Sequence, residues 1–173
     1  MKRLLIVVDY QNDFVCGSLG FEEAKELENH IVHLIKEYRD HNDEVIYTLD
    51  THPDTYNETY EGKHLPIQHC LKNTEGWQLY GSVKDALKDC LCFEKPTFPS
   101  LELANYLKNQ QYQDITLVGV VSHICVLSNA VMAKAAQPNI PIYIDLKGTA
   151  SSDVETHQKS IDVMKSMQFE IKE

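Results

Sequence analysis

The sequence has no cluster of lysine and arginine, no apolar run long enough to cross a bilayer, and no Cys-x-x-Cys pair. Each absence removes a class of function. Nucleic acid and anionic membrane surfaces require a basic face, whereas here 16 basic residues stand against 26 acidic ones, for a net charge of −10. The apolar stretch in MKRLLIVVDYQNDF meets Asp9 too soon for a signal peptide. It also falls far short of the roughly 20 residues of a membrane span. Without Cys-x-x-Cys, a thioredoxin-like redox centre is not expected. Five cysteines, an odd number at irregular spacings, argue for a reducing compartment, and a cytoplasmic protein is the expectation. Internal repeats, low-complexity tracts and linkers are also missing, so residues 1–173 are expected to form one domain. That length is enough to bury a core without disulfides.

What is present alternates. Leu4–Val8 is a continuous β-branched and leucine run, the mark of a strand buried on both faces, and it ends at Asp9. QNDFVCGSLG reads as loop, and Glu22–Arg39 as one helix with Ala24, Leu27, Ile31, Leu34, Ile35 and Tyr38 on its apolar side. Glu44–Leu49 is a second strand ending at Asp50, and Thr51–Gly81 has no sustained period. Lys84–Lys88 suggests a short helix, and Cys90–Phe93 a third strand ending at Glu94-Lys95, with Cys90 and Cys92 structural. Ser100 is placed to cap a helix over Ser100–Asn109. Asp114–Gly119 is a fourth strand, and a helix follows to about Ala136. Pro141–Asp145 is a fifth strand, Lys147-Gly148-Thr149 a turn, Asp153 a cap for a helix to Met167, and Gln168–Lys172 a weak last strand. This alternation predicts an α/β fold with three α-β-α layers around a six-stranded, mostly parallel, Rossmann-like sheet.

In open α/β sheets, function gathers at the carboxyl ends of the strands. There Asp9, Asp50, Lys95 and Cys125 converge, although each alone is as well explained by packing or an ordinary ion pair. Cys125 follows the fourth strand in what reads as the first turn of a helix. Helix N-termini lower a thiol pKa from about 8.5 towards roughly 3.5–7.5, so a thiolate is expected at neutral pH. Asp9 can accept its proton and return it to a leaving amine, while Lys95 steadies the negative charge. The turn at Val121–Cys125 offers backbone N–H groups for an oxyanion. This is the equipment of acyl transfer through a thioester.

A second group starts at Asp50-Thr51-His52, where side chains two apart point the same way. With Glu58, Glu61, His64 and His69 downstream, it offers carboxylate and imidazole ligands for zinc, or for manganese or iron. Such a metal would also account for an ordered, charged loop. Phe14, Tyr60, Leu65 and Phe98 are candidates to line a pocket for a small planar ring.

VDYQNDF at Val8–Phe14, DTH at Asp50–His52, EGKHLPIQHC at Glu61–Cys70, EKPTF at Glu94–Phe98 and GVVSHICV at Gly119–Val126 together carry a resemblance. Over nearly its whole length the chain resembles the isochorismatase-like cysteine hydrolases, and among them most the bacterial nicotinamidases. The resemblance implies an Asp9–Lys95–Cys125 triad, an oxyanion hole from the backbone of Val121 and Cys125, and a cis peptide before Val121. It implies one divalent metal on Asp50, His52 and His69, with Glu61 the best match for the remaining ligand and Glu58 or His64 as alternatives. The implied reaction is hydrolysis of a small amide, nicotinamide to nicotinate and ammonia in NAD salvage, by a homo-oligomer. Ser122-His123 in place of Thr-Asp, Leu65 in place of an aromatic residue, and two residues between Pro66 and His69 depart from the common pattern. Competing readings are an amidohydrolase of ureido or carbamoyl compounds and a catalytically silent α/β binding module.

Overall fold

The computed structural model describes residues 1–173. Apolar side chains on both faces of β1 (Lys2–Val8) require it to be covered twice, and its residues Leu4–Val8 are fully buried. Next come α1 (Asn12–Val15), α2 (Glu22–Glu26), α3 (Glu28–Asp40) and β2 (Glu44–Asp50). A one-residue break at Leu27 therefore divides the helix expected over Glu22–Arg39, and a helical turn appears in the segment read as loop. A 3₁₀ turn at Tyr56–Glu58, α4 (Tyr60–His64), α5 (Gly81–Ala86) and β3 (Leu91–Lys95) follow. The short helix expected at Lys84–Lys88 thus begins earlier, at Gly81. The chain continues through α6 (Leu101–Lys108), β4 (Tyr112–Val120), α7 (Leu127–Ala136), β5 (Ile142–Ala150), α8 (Val154–Ser166) and β6 (Glu170–Lys172). Ser100 does cap α6, accepting the Leu103 N–H at 3.1 Å, and Asp153 caps α8 through Thr156 at 2.6 Å.

The sheet order is β3-β2-β1-β4-β5-β6, and every pairing is parallel. Alternate residues of β1 feed opposite sides. Leu4, Ile6 and Val8 pack under α6, α7 and α8, whereas Leu5 and Val7 pack under α2, α3 and α5. Each side holds a cluster of 19 buried residues, so the sheet is covered equally on its two faces. That is the doubly covered, three-layer arrangement expected from the alternation.

Strand β5 runs past the expected turn. Leu117 pairs with Ile144 and Gly119 with Thr149, so four residues of β5 bulge opposite Val118 alone. Asp145 satisfies the bulge, its Oδ1 accepting from the backbone N–H groups of Lys147 at 3.0 Å and Gly148 at 3.1 Å. The stretch after Thr51 is tied by backbone and side-chain bonds that need no ion. His52 N–H donates to Cys70 O at 3.0 Å, Lys72 N–H to His52 O at 3.0 Å, and Cys70 N–H to Asp13 Oδ2 at 2.7 Å. No helix is long and apolar enough to cross a membrane.

Candidate active site

Four neighbouring strands, β1 to β4, deliver the singled-out residues to one rim. Asp9 follows β1, Asp50 ends β2, Lys95 ends β3 and Cys125 follows β4. β2 and β3 pair so that Asp50 and Lys95 are directly opposite. The ammonium of Lys95 lies 2.6 Å from Asp9 Oδ2, 3.2 Å from Asp50 Oδ1 and 3.8 Å from Cys125 Sγ, and donates to Thr97 O at 3.0 Å. The Asp9 contact is close but poorly aligned, and Oδ2 gains no hydrogen bond from it. Asp9 Oδ1 accepts from the Thr48 hydroxyl at 2.6 Å. Asp9 adopts a left-handed backbone, φ 47, which Asp tolerates better than most residues.

All three groups are buried, and burial decides the direction for Asp9 and Cys125 but not for Lys95. It pushes the Asp9 carboxyl up, against the pull of Lys95 and Thr48. Burial works against the Lys95 ammonium too, but the nearby carboxylates of Asp9 and Asp50 outweigh it and keep the amine protonated. The Cys125 thiol is raised well above its ordinary value, chiefly by burial, despite Lys95. This corrects the thiolate expected from sequence. Residues Ser122–Val126 form a π turn, with Val126 N–H closing on Val121 O at 3.2 Å, and α7 begins only at Leu127. Cys125 therefore precedes the α-helix and sits 5% exposed beneath the cavity rather than at an open helix N-terminus. The Val120–Val121 peptide is cis.

The second group is also assembled. One donor atom each from Asp50, His52, Glu61 and His69 lie within 4.8 Å of one another. His52 Nε2 is 2.8 Å and His69 Nε2 3.4 Å from Asp50 Oδ2, and both are 3.7 Å from Glu61 Oε1. The Nδ1 of His69 bonds Ile67 O at 2.8 Å, which turns its Nε2 towards the carboxylates. Tyr56 packs edge-on against both imidazoles, at 4.8 and 5.0 Å between centroids. Bonds from His52 and His69 and the charge of Lys95 overcome the burial of Asp50 and hold its carboxyl below the usual range. Glu61 is pushed the other way, by burial and by Asp50. These residues fit a divalent ion. Glu61 Oε2 is buried without a partner, and two imidazoles with two carboxylates form a donor set suited to zinc, manganese or iron. Glu58 and His64 stand outside the group and are exposed, His64 bonding Tyr60 O at 2.8 Å instead.

A cavity of about 200 Å³ joins the two groups. Cys125 and Val121 line it with Asp50, Glu61 and His69, and Phe14, Leu65 and Phe98 supply apolar walls. Tyr60 does not reach it; the residue is 81% exposed and borders an outer cleft instead, because α4 turns it towards solvent. Leu19, Phe21, His123, Ile124 and Ser152 also line the cavity and were not foreseen as a group. Sequence reading also passed over the buried polar residues beneath the cavity. Gln11 grips the backbone of Asp50, donating to its carbonyl at 2.9 Å and accepting its N–H at 2.8 Å. Gln11 and Thr48 are polar residues beside apolar strand ends, a weak signal that such side chains serve a site.

The isochorismatase domain family matches residues 3–171. An uncharacterized isochorismatase family protein, PncA of Bacillus subtilis (strain 168), is 31% identical over 173 residues, covering 91% of each chain. The crystal structure of nicotinamidase PncA from Bacillus subtilis aligns with a TM-score of 0.88 at 28% identity, over 100% of both chains. The pyrazinamidase of Pyrococcus horikoshii, solved in complex with zinc, has the same fold, with a TM-score of 0.86 at 24% identity over 99% of this chain and 98% of that one. With the parallel sheet and a family match spanning nearly its full length, this chain belongs to the isochorismatase family.

Proposed function

We propose that this protein is a cysteine amidohydrolase that converts nicotinamide to nicotinate and ammonia. One observation carries the reading: a single cavity has a thiol beside a buried ammonium–carboxylate pair and, on another wall, Asp50, Glu61 and His69 of the four clustered metal-type donors. Similarity to the Bacillus subtilis nicotinamidase supports the same substrate.

The resting thiol is neutral, so attack and proton transfer belong together. Cys125 Sγ bonds to the amide carbon as its proton passes to Asp9. Negative charge moves to the amide oxygen, where the N–H groups of Val121 and Cys125 are assigned to receive it. Asp9 then returns the proton to the amide nitrogen, the C–N bond breaks, ammonia leaves and a thioester remains. Water adds to the thioester as Asp9 takes one of its protons; the C–S bond breaks as Asp9 passes that proton to sulfur, restoring the thiol, and the acid leaves as nicotinate with its remaining proton lost to solvent. Lys95 keeps its proton throughout and offsets the charge on Asp9 and sulfur. Asp50, His52, Glu61 and His69 are assigned to hold one divalent ion, zinc first and manganese or iron as alternatives, whose Lewis acidity would anchor the ring nitrogen. Phe14, Leu65 and Phe98 flank the ring.

The setting that fits is NAD salvage in the cytoplasm by a homo-oligomer acting on a small molecule. A net charge of −10 without a basic cluster disfavours nucleic acid and anionic membranes as partners. The test is ammonia release from nicotinamide, pyrazinamide and ureido compounds, repeated after chelation. Turnover of nicotinamide that is lost with the metal is expected. Failure on both pyridine carboxamides removes the reading, and turnover of ureido compounds alone replaces it with a carbamoyl-type amidohydrolase.

A further inference from the structure

Asn129 lies one helical turn beyond Cys125, fully buried, and both N–H donors and the oxygen of its side-chain amide are engaged. Its Nδ2 donates to Cys125 O at 2.8 Å and to Phe98 O at 3.1 Å. Its Oδ1 accepts the backbone N–H of Ser100 at 2.9 Å. One side chain thus joins the main chain of the nucleophile to the loop between β3 and α6. That loop matters twice. Phe98 forms part of the cavity wall, and Thr97 O receives the Lys95 ammonium at 3.0 Å.

We infer that Asn129 is a positioning residue, fixing Cys125 relative to the Phe98 wall of the cavity and to the adjacent Lys95 ammonium, which the same loop holds through Thr97 O. This rests on the amide-hydrolysis reading of the site. Asn129 does not touch the cavity, so its influence passes through the backbone atoms it holds. An aspartate of the same shape keeps the bond from Ser100 but can donate to neither carbonyl, and it turns an attraction into repulsion at both. A hydrophobic residue leaves all three main-chain groups without their partner. Alignment of a nucleophile is sensitive at this scale, since displacement of about 1 Å costs on the order of 10²-fold in rate.

The experiment compares wild type, Asn129→Asp and Ile35→Val, a buried substitution in α3 on the opposite face of the sheet. It reads kcat and KM for nicotinamide, the rate of iodoacetamide labelling of Cys125 by mass spectrometry, and the thermal midpoint. A positioning role predicts a fall of about 10²-fold in kcat for Asn129→Asp with KM within about threefold. Labelling of Cys125 is expected to slow about tenfold as the sulfur shifts relative to the ammonium, because thiolate character sets that rate. Ile35→Val should lower the midpoint and leave kcat and labelling unchanged. The inference is overturned if Asn129→Asp keeps wild-type kcat and labelling, or if Ile35→Val loses as much of both. Should Asn129→Asp not fold, Asn129→Ser, which keeps one donor, gives the same comparison with an expected loss of about tenfold in kcat. If wild type releases no ammonia from nicotinamide, the substrate reading fails instead. Labelling then decides the role of Asn129, and equal rates in wild type and variant overturn it.

Discussion

Lys95 and Asp50 face each other across paired strands with 3.2 Å between ammonium and Oδ1, while the other oxygen of Asp50 meets His52 at 2.8 Å. One carboxylate therefore serves both the acid–amine–thiol group and the metal-type group. The two halves of the site are mechanically one.

Removing the amine is expected to affect fold and activity together. Lys95→Met keeps length and apolar stem but leaves Asp9 and Asp50 without their buried cation. Stranding a buried charge costs about 3–5 kcal/mol. Urea unfolding should show a loss of that order, and ammonia release should disappear. A variant of wild-type stability would show that the carboxylates do not depend on this lysine.

Metal content separates the ligand candidates. Purified protein dialysed against zinc should retain about one ion per chain, and Asp50→Ala or His69→Ala should retain little. Glu61→Gln should weaken retention, whereas Glu58→Gln and His64→Ala should not, since both residues stand outside the cluster. An ion that binds only the folded chain adds about 4 kcal/mol at a thousandfold excess over Kd, so chelation should also lower the thermal midpoint. Equal retention by Asp50→Ala and wild type would move the ion elsewhere.

The acidic limb of the pH–rate profile should report Asp9. Burial raises its pKa, and the Thr48 hydroxyl is among the groups pulling it back. Thr48→Val removes that pull without changing shape. The carboxyl then binds its proton more tightly and is lost as a base at higher pH, so the acidic limb of kcat/KM should move upward. A limb that stays put or moves down would exclude Asp9 as the titrating base.

Gly119 is the remaining structural test. Its φ is +112, and a β-carbon there would run into the carbonyl of Val8, the residue before Asp9. Gly119→Ala should cost about 1–3 kcal/mol in an unfolding titration and depress kcat by displacing the end of β1. Full activity with wild-type stability would mean that the strand ends adjust freely.

The sheet was legible because β1 and β4 carry apolar runs that suit only doubly covered strands, and Asp9 marks the end of the first. The far half of β5 was not. Lys147-Gly148 has the composition of a turn; it becomes a bulge within a strand because Asp145 accepts its N–H groups and the pairing with β4 resumes at Thr149. The residues at the strand ends were readable from position and resemblance. Their supports, Gln11, Thr48 and Asn129, were not, because a buried amide or hydroxyl shows its purpose only through partners distant in sequence. The thiol was misread for a related reason: local sequence suggested a helix start, while burial depends on the whole fold.

The strand order also has a consequence for biosynthesis. β1 is flanked by β2 and β4, and the second of these spans Tyr112–Val120. While the polypeptide is being made, one edge of a strand whose last five residues are all apolar must wait for a partner more than a hundred residues downstream. Such delayed pairing slows folding and leaves sticky intermediates. Nascent chains truncated before β4 should therefore be strong chaperone clients, and enzymatic competence should emerge only after β4 and Cys125 have been made.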